Sequence, residues 1–496
     1  MAEIRPKKVS LDHVLKYMGI FGGVQGLMML MGVVRNKLAS LFLGTAGFGL
    51  MAIYASISEL VQSCSNLGLP IASVQRMSEL FESGDETAIS HFVKVVRTWC
   101  CWAAILSLVF TLTLSPLLAE LFFEGEPSRF WDIMLLAPMI AMTIIFAGEA
   151  SILKGLRHLK RVASISAICA VTTLCLTVPF FWAMGLQGIL LSLNLSTMAV
   201  LAVHLVFTVP LFTWRIEPFS REIFLEGIPL IRIGIPYVLA AVVGTGSAML
   251  LQAFLKRESS EETLGLYRVA YALMVNYAGL AFSAFDTDFF PRLSSVNHSC
   301  QDRNEVINQQ IRVGVMVVAP LLLILLVFMP IILSFLFKDD FLPAAEMAIC
   351  TVFYTFLRAI TVPIAYTALA CGHSMRYLLM EAIYDVVAFL LIAYGYHYLG
   401  LMGAGIGLSL SALFDLLLIG ITYGILYRFR MTVATARLAI GQTAFVGTCL
   451  GVCLLLPPTW KYVTGALLIA LSMAYSYRYF SRESTVILKI RNKLRR

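Results

Sequence analysis

The sequence predicts an all-α polytopic membrane protein with 14 transmembrane helices. They form two parallel-repeat six-helix lobes around a central cavity, followed by two C-terminal helices. Three observations predict it. The 496 residues are 59% hydrophobic and only 13% charged, with a mean hydropathy of +0.85. Soluble domains run near 45–50% apolar and about 25% charged, so lipid must solvate much of this surface. The apolar residues fall into separate runs long enough to cross a bilayer. Basic residues gather at every second gap between those runs, and the pattern of the first half recurs in the second.

A spanning helix needs about 20 mostly apolar residues. The runs that satisfy this are 14–34, 45–68, 98–119, 131–153, 162–184, 187–212, 233–254, 264–288, 312–336, 345–370, 377–398, 403–427, 433–456 and 462–480. Residues 35–44 extend the first helix or form its outer turn. Open sheet edges are excluded from hydrocarbon, so helices are the element at these lengths. The longest polar gaps, 213–232 and 292–311, leave no room for a soluble domain. Residues 1–16 are basic and polar, and no cleavable signal peptide follows them.

With the N-terminus inside, twenty-eight Lys and Arg fall on the inner side and eight on the outer, Arg358 being mid-helix. That bias places both termini in the cytoplasm. The tail, with Lys489, Arg491, Lys493, Arg495 and Arg496, has the charge to lie on anionic lipid. The chain also repeats itself at an offset of about 215 residues. Gly185-Leu186-Gln187-Gly188 matches Gly400-Leu401-Met402-Gly403, Gly155 matches Gly372, and Arg76 matches Arg292. Pro116-Leu117-Leu118 ahead of Leu121-Phe122-Phe123 matches Pro330-Ile331-Ile332 ahead of Phe335-Leu336-Phe337. Both halves start inside, so they are parallel repeats, an arrangement of transporters that expose a cavity to alternate sides. The expected divisions are 1–213 for the first lobe, 214–430 for the second, and 431–496 for the last two helices and the basic tail.

A charge near the bilayer centre costs about 2.5–3.5 kcal/mol on insertion scales and is a functional candidate for that reason. Arg358, mid-span ten, has two readings: a cavity ligand for an anion, or a structural ion pair with Asp385. Arg35 and Lys37 at the outer end of span one, and Arg268 at the start of span eight, are further candidate anion ligands. A guanidinium suits phosphate through its planar donor fork. Glu59 and Asp415 are candidates to bind a coupling proton or sodium ion. Asp286, Asp288 and Asp385 are candidates for a gate or a lobe contact. Glu149 is a further acid, near the inner end of span four.

The chain carries no GxSxG, HExxH, P-loop or dinucleotide fingerprint, so an enzyme is not expected. The ten cysteines lack zinc spacing and read as small apolar packing residues. The seven histidines are dispersed, so neither a metal nor a cofactor is expected. Sequons at Asn194 and Asn297 fall in an apolar run and an inner loop and read as chance.

Val33-Val34-Arg35-Asn36-Lys37-Leu38-Ala39-Ser40-Leu41-Phe42-Leu43-Gly44-Thr45-Ala46-Gly47-Phe48-Gly49-Leu50 resembles the first-helix signature of bacterial polysaccharide flippases: a basic residue, a small-apolar stretch, then Leu-Gly-x-x-Gly-x-Gly-Leu. Asn66-Leu67-Gly68-Leu69-Pro70 followed by Arg76-Met77-Ser78-Glu79 is similar to the end of that family's second helix. The resemblance is to the Wzx-type O-antigen and enterobacterial-common-antigen translocases of the multidrug/oligosaccharidyl-lipid/polysaccharide exporter superfamily. It implies a V-shaped transporter in the bacterial cytoplasmic membrane. Its cargo would be an undecaprenyl-pyrophosphate-linked oligosaccharide, with polysaccharide assembly proteins as candidate partners and no nucleic acid. Arg35 matches the family pattern by position, whereas Arg268 and Arg358 are placed by topology alone. A lipid II-type flippase and a cation-coupled multidrug antiporter of the same superfamily are the alternatives. A membrane polysaccharide polymerase is remote, because the outer gaps are too short to hold a glycan acceptor.

Overall fold

The computed structural model describes residues 11–277, 289–290, 292–294, 296 and 299–483. Asp286, Asp288 and the basic tail lie outside these residues. The described chain is built of helices, as a backbone that must satisfy its own polar groups in lipid requires. In order they are α1 (Leu11–Ser65), α2 (Leu69–Ser83), α3 (Glu86–Phe123), α4 (Pro127–Met134), α5 (Ala137–Gly155), α6 (Leu159–Met184), α7 (Gly188–Thr208) and α8 (Arg221–Glu258). Then come α9 (Glu261–Tyr271), α10 (Cys300–Leu336), α11 (Ala344–Cys350), α12 (Val352–Ala370), α13 (Ser374–Leu426), α14 (Val433–Leu455) and α15 (Pro458–Glu483).

Among the described residues, nine helical stretches are long and apolar enough to cross a membrane, where the sequence led us to expect fourteen spans. Three of the nine are of double length: 26–65, 160–208 and 374–426. Each is broken by a glycine outside the helical region. Gly44 has φ 63° and ψ −166°, and Gly400 φ 59° and ψ −143°. Gly185, between α6 and α7, has φ 56°. A Cβ at such a φ is strained, which is why the chain reverses at glycine. Residues 35–44 therefore belong to the first helix and run up to its break. Positive φ values also recur 215 residues apart, at Gly185 and Gly400 and at Arg157 and Gly372. The sequence comparison paired Gly372 with Gly155, two residues from its conformational counterpart.

The chain divides into two compact units. The first is 1–47 with 53–245, and the second is 48–52 with 246–496. In the first, α5 packs against α2, α3 and α7, and α6 packs on α7. Asp85 starts α3 by accepting from the Thr87 and Ala88 amides, both at 3.0 Å, and from the Thr87 hydroxyl at 2.6 Å. These bonds, the hydroxyl's first, hold its carboxyl below the usual carboxylate range. In the second unit α10 is the hub, packed on α12, α14 and α15. Its Val315, Leu322, Leu326 and Met329 are fully buried. Its first turns grip the segment after α13. Arg303 donates to the Tyr427 carbonyl at 2.6 Å, Asn304 to Arg428 at 3.0 Å, and Asn308 to Arg430 at 3.0 Å.

The two arms of α13 meet through glycine. A Cβ on Gly403 would lie 1.8 Å from the Gly395 carbonyl oxygen, and one on Gly407 2.4 Å from that of Leu391. Small residues let helices in lipid approach this closely. Gly403→Ala is expected to lower stability by about 3 kcal/mol, the top of the overpacking range, because the obstacle is backbone. Gly420→Ala on the same helix meets nothing within 4 Å and is the matched control. A thermal midpoint in detergent that is equal for the two variants contradicts this account.

Candidate functional site

The first unit holds a cavity of about 440 Å³ between α1, α5, α6 and α7. Its polar lining is Arg35 from α1, Lys154 from the last turn of α5, Ser166 and Thr173 from α6, and His204 from α7. Among the described residues that line it there is no Asp or Glu. Apolar groups such as Met31, Phe146 and Ile165 complete the wall and lower the dielectric around the cations. Lys37 follows Arg35 by two residues, about 200° round the helix, and does not line this cavity. Glu59, in the second arm of α1, is exposed and lies outside it as well. His204 is mostly buried, stacked on Phe146 with centroids 5.2 Å apart and an interplanar angle of 25°. Its Nδ1 lies 2.8 Å from the Val200 carbonyl oxygen. Sequence reasoning placed Lys154 among the inner-side cations and assigned His204 no role.

Directly behind this cavity Arg97 of α3 and Glu149 of α5 form a fully buried pair. Nε donates to Oε1 at 2.7 Å and Nη2 to Oε2 at 3.0 Å. Nη1 donates to the carbonyls of Phe212 and Thr213 at 2.9 and 3.0 Å. The guanidinium lies 4.8 Å from the Trp214 ring centroid. Four of the five N–H groups of the cation are thus used, and Glu149 is neutralised by a partner outside the cavity wall. Arg97 counted only as an inner-side charge in the sequence. The signal available there was an opposite charge at the inner ends of two adjacent spans. Arg97 and Arg303 also play one part twice: each clasps carbonyls at the end of a helix, at Phe212 and Tyr427, which are 215 residues apart.

A second cavity in the first unit, about 730 Å³, is lined by Tyr54, Glu126, Arg129, Asp132 and Asn194. Here Arg129 meets Asp132 at 3.2 Å, and Asp132 also accepts from the Tyr54 hydroxyl at 2.9 Å. Its cation is answered by acids within the same wall, which makes it the weaker anion site.

In the second unit Arg358 of α12 pairs with Asp415, Nη1 to Oδ2 at 3.0 Å. The Asp415 side chain is 2% exposed and that of Arg358 25%. The guanidinium lies 5.4 Å from the Tyr384 ring centroid, and Tyr354 and Glu381 are within electrostatic reach. The sequence named Asp385 as the structural partner. The structure gives that place to Asp415, which the second arm of α13 carries back past α12. Asp385 is half-buried, and its carbonyl accepts from the Ser247 hydroxyl at 3.3 Å. Arg268 is half-buried on α9, one turn before Tyr271.

Among the described residues one group can bring three metal-ligand atoms together. His91 of α3 with Glu222 and Glu226 of α8 has them within 4.8 Å of one another. His91 Nε2 already contacts Glu226 at 2.9 Å, and both acids are exposed.

No curated protein matches the chain by sequence. Solved structures share its fold. A lipid II flippase, MurJ, in an inward closed conformation superposes with TM-score 0.71 at 14% identity, over 93% of this chain and 99% of that one. An inward-facing multidrug resistance transporter of the MATE family, in the MOP superfamily, gives 0.65 at 13%, over 81% and 96%. A Vibrio cholerae MATE transporter gives 0.56 at 12%, over 83% and 96%. The polysaccharide biosynthesis protein family matches residues 14–297. With more than half the chain matched, this multi-pass membrane protein, which shares its fold with those solved structures, belongs to the polysaccharide biosynthesis protein family.

Proposed function

We propose that the chain is a lipid-linked oligosaccharide flippase. It carries undecaprenyl-pyrophosphate-linked glycan repeat units across the bacterial cytoplasmic membrane, with both termini cytoplasmic, for O-antigen, capsule or exopolysaccharide assembly. Fourteen spans, as lobes 1–213 and 214–430 followed by 431–496, would provide alternating access. The observation that carries this reading is the sign of the first unit's cavity. Arg35 and Lys154 line it, and among the described residues no carboxylate does. A pyrophosphate diester brings two negative charges, which two cations match. A cationic drug would meet like charge in a poorly solvated space, where unit charges interact far more strongly than in water. The multidrug alternative loses support on that ground. The lipid II alternative shares the headgroup chemistry and the fold, and differs in the glycan. Arg268 and Arg358 remain the second lobe's candidate anion ligands, and Glu59 and Asp415 the candidates for a coupling proton or sodium ion.

Each charged hydrogen bond to a phosphate contributes about 1.5–3 kcal/mol, and 1.4 kcal/mol is tenfold in an equilibrium. The double variant Arg35→Gln, Lys154→Gln is therefore expected to cut surface polysaccharide at least tenfold in cells that depend on this transporter. Its level in the membrane should not change. Undiminished surface polysaccharide at normal protein level overturns the reading.

A further inference from the structure

We propose that His204 is a third phosphate-binding group of the first unit's cavity, and that it takes up a proton when the anion binds. The inference rests on the flippase reading and deepens it.

A carbonyl oxygen can only accept a hydrogen bond, so the 2.8 Å contact with Val200 puts a proton on Nδ1. In the neutral ring Nε2 then carries none. His204 lines the cavity, and Nε2 is the nitrogen left for a ligand. A bare Nε2 would repel a phosphate oxygen, since both are acceptors. A protonated one donates to it in a charge-assisted bond. Each other helix packed around the cavity brings named groups. α1 contributes Arg35, α6 contributes Cys169, and α5 contributes Lys154 and, just behind the wall, Glu149. Glu149 is committed to Arg97 through both carboxylate oxygens, so it is a poor counter-ion for an imidazolium. Among the described residues the other charged groups lining the cavity are Arg35 and Lys154, so a charged His204 adds like charge there. With a pyrophosphate diester present, that charge is answered. Proton and anion therefore bind with positive coupling, and the coupling is reciprocal. The proton comes from solvent and lands on Nε2, and no covalent bond forms or breaks.

The test uses the full chain in nanodiscs and a short-chain prenyl-pyrophosphoryl-glucose, a diester with no ionisation near neutral pH. Calorimetry in buffers of different ionisation enthalpy counts the protons taken up on binding. Wild type is expected to take up a proton at pH 7–8, with affinity falling as pH rises by as much as tenfold per unit. His204→Gln keeps a donor for Val200 and is expected to bind about tenfold more weakly at pH 6, with no proton uptake and no pH slope. His204→Arg carries a fixed charge and is expected to restore affinity, also without uptake. Proton uptake that persists in His204→Gln overturns the proposal, while loss of binding in Arg35→Gln at the same time leaves the flippase reading standing. Full binding in Arg35→Gln, Lys154→Gln removes the cavity as the anion site, and both readings fall together. Inorganic pyrophosphate is the second arm. Binding of that ion but not of the diester assigns the pocket to a free anion and overturns the lipid-linked source.

Discussion

Arg97→Ala is expected to destabilise the protein by about 3–5 kcal/mol, the cost of breaking a buried ion pair from one side. The side chains of both partners are 1% exposed. Removing the guanidinium strands the Glu149 carboxylate in a closed interior and leaves the carbonyls of Phe212 and Thr213 without their donor. It also removes the tie between α3, α5 and the segment after α7. At roughly 2–4 °C per kcal/mol for a unit of this size, the thermal midpoint in detergent should fall by roughly 6–20 °C. Arg97→Met with Glu149→Leu removes both charges, fills the space with apolar volume, and is expected to recover most of the loss, since a buried pair is often no better than its hydrophobic replacement. A midpoint within 2 °C of wild type in Arg97→Ala would show that water or another cation reaches Glu149. The variant has a functional arm too. Freeing Glu149 behind the cavity wall sets a carboxylate against Arg35 and Lys154, so the single variant should export less than the double variant at matched protein level.

Several elements could be read before any coordinates, and the reasons are local. The apolar runs are a property of composition along the chain, and the nine membrane-length helical stretches among the described residues fall on them. Gly185 and Gly400 open the same Gly-Leu-x-Gly frame, and both occupy positive φ, where glycine is the residue without penalty. The second such pair, Arg157 and Gly372, is hidden because Arg157 holds a conformation that its residue type does not advertise. Whether two apolar runs are separate spans or arms of one continuous helix depends on a single residue's dihedrals, which hydropathy does not encode. Arg35 stood out because a cation interrupted an apolar run. Lys154 and His204 did not. A lysine at an inner helix end looks like any topology anchor, and a histidine amid apolar residues looks like packing. Partner choice was the least legible feature. Asp415 is 57 residues from Arg358, and nothing short of the α13 reversal at Gly400 selects it over Asp385.

Arg358→Ala is expected to abolish glycan export, and the pair with Asp415 dictates how that result must be read. Asp415 is buried. Taking Arg358 away leaves a carboxylate without its cation, so the single variant tests folding and ligand binding at once. Two further variants separate them. Arg358→Gln with Asp415→Asn keeps shape and hydrogen-bonding capacity while removing both charges, and it should hold its thermal midpoint within a few degrees of wild type. Arg358→Asp with Asp415→Arg restores opposite charges with the positions exchanged. If Arg358 only pins α12 to α13, both double variants export normally. If its guanidinium serves an anion, the neutral pair fails to export although it is folded. The exchanged pair then fails as well, because its cation sits on the buried side of the contact while the partly exposed side, 25% accessible in Arg358, now carries a carboxylate. That exposure favours the second outcome. A guanidinium that keeps a quarter of its side chain open beside a buried carboxylate retains donors for a ligand. Normal surface polysaccharide in the neutral double variant would falsify the ligand role and leave Arg358 a structural residue.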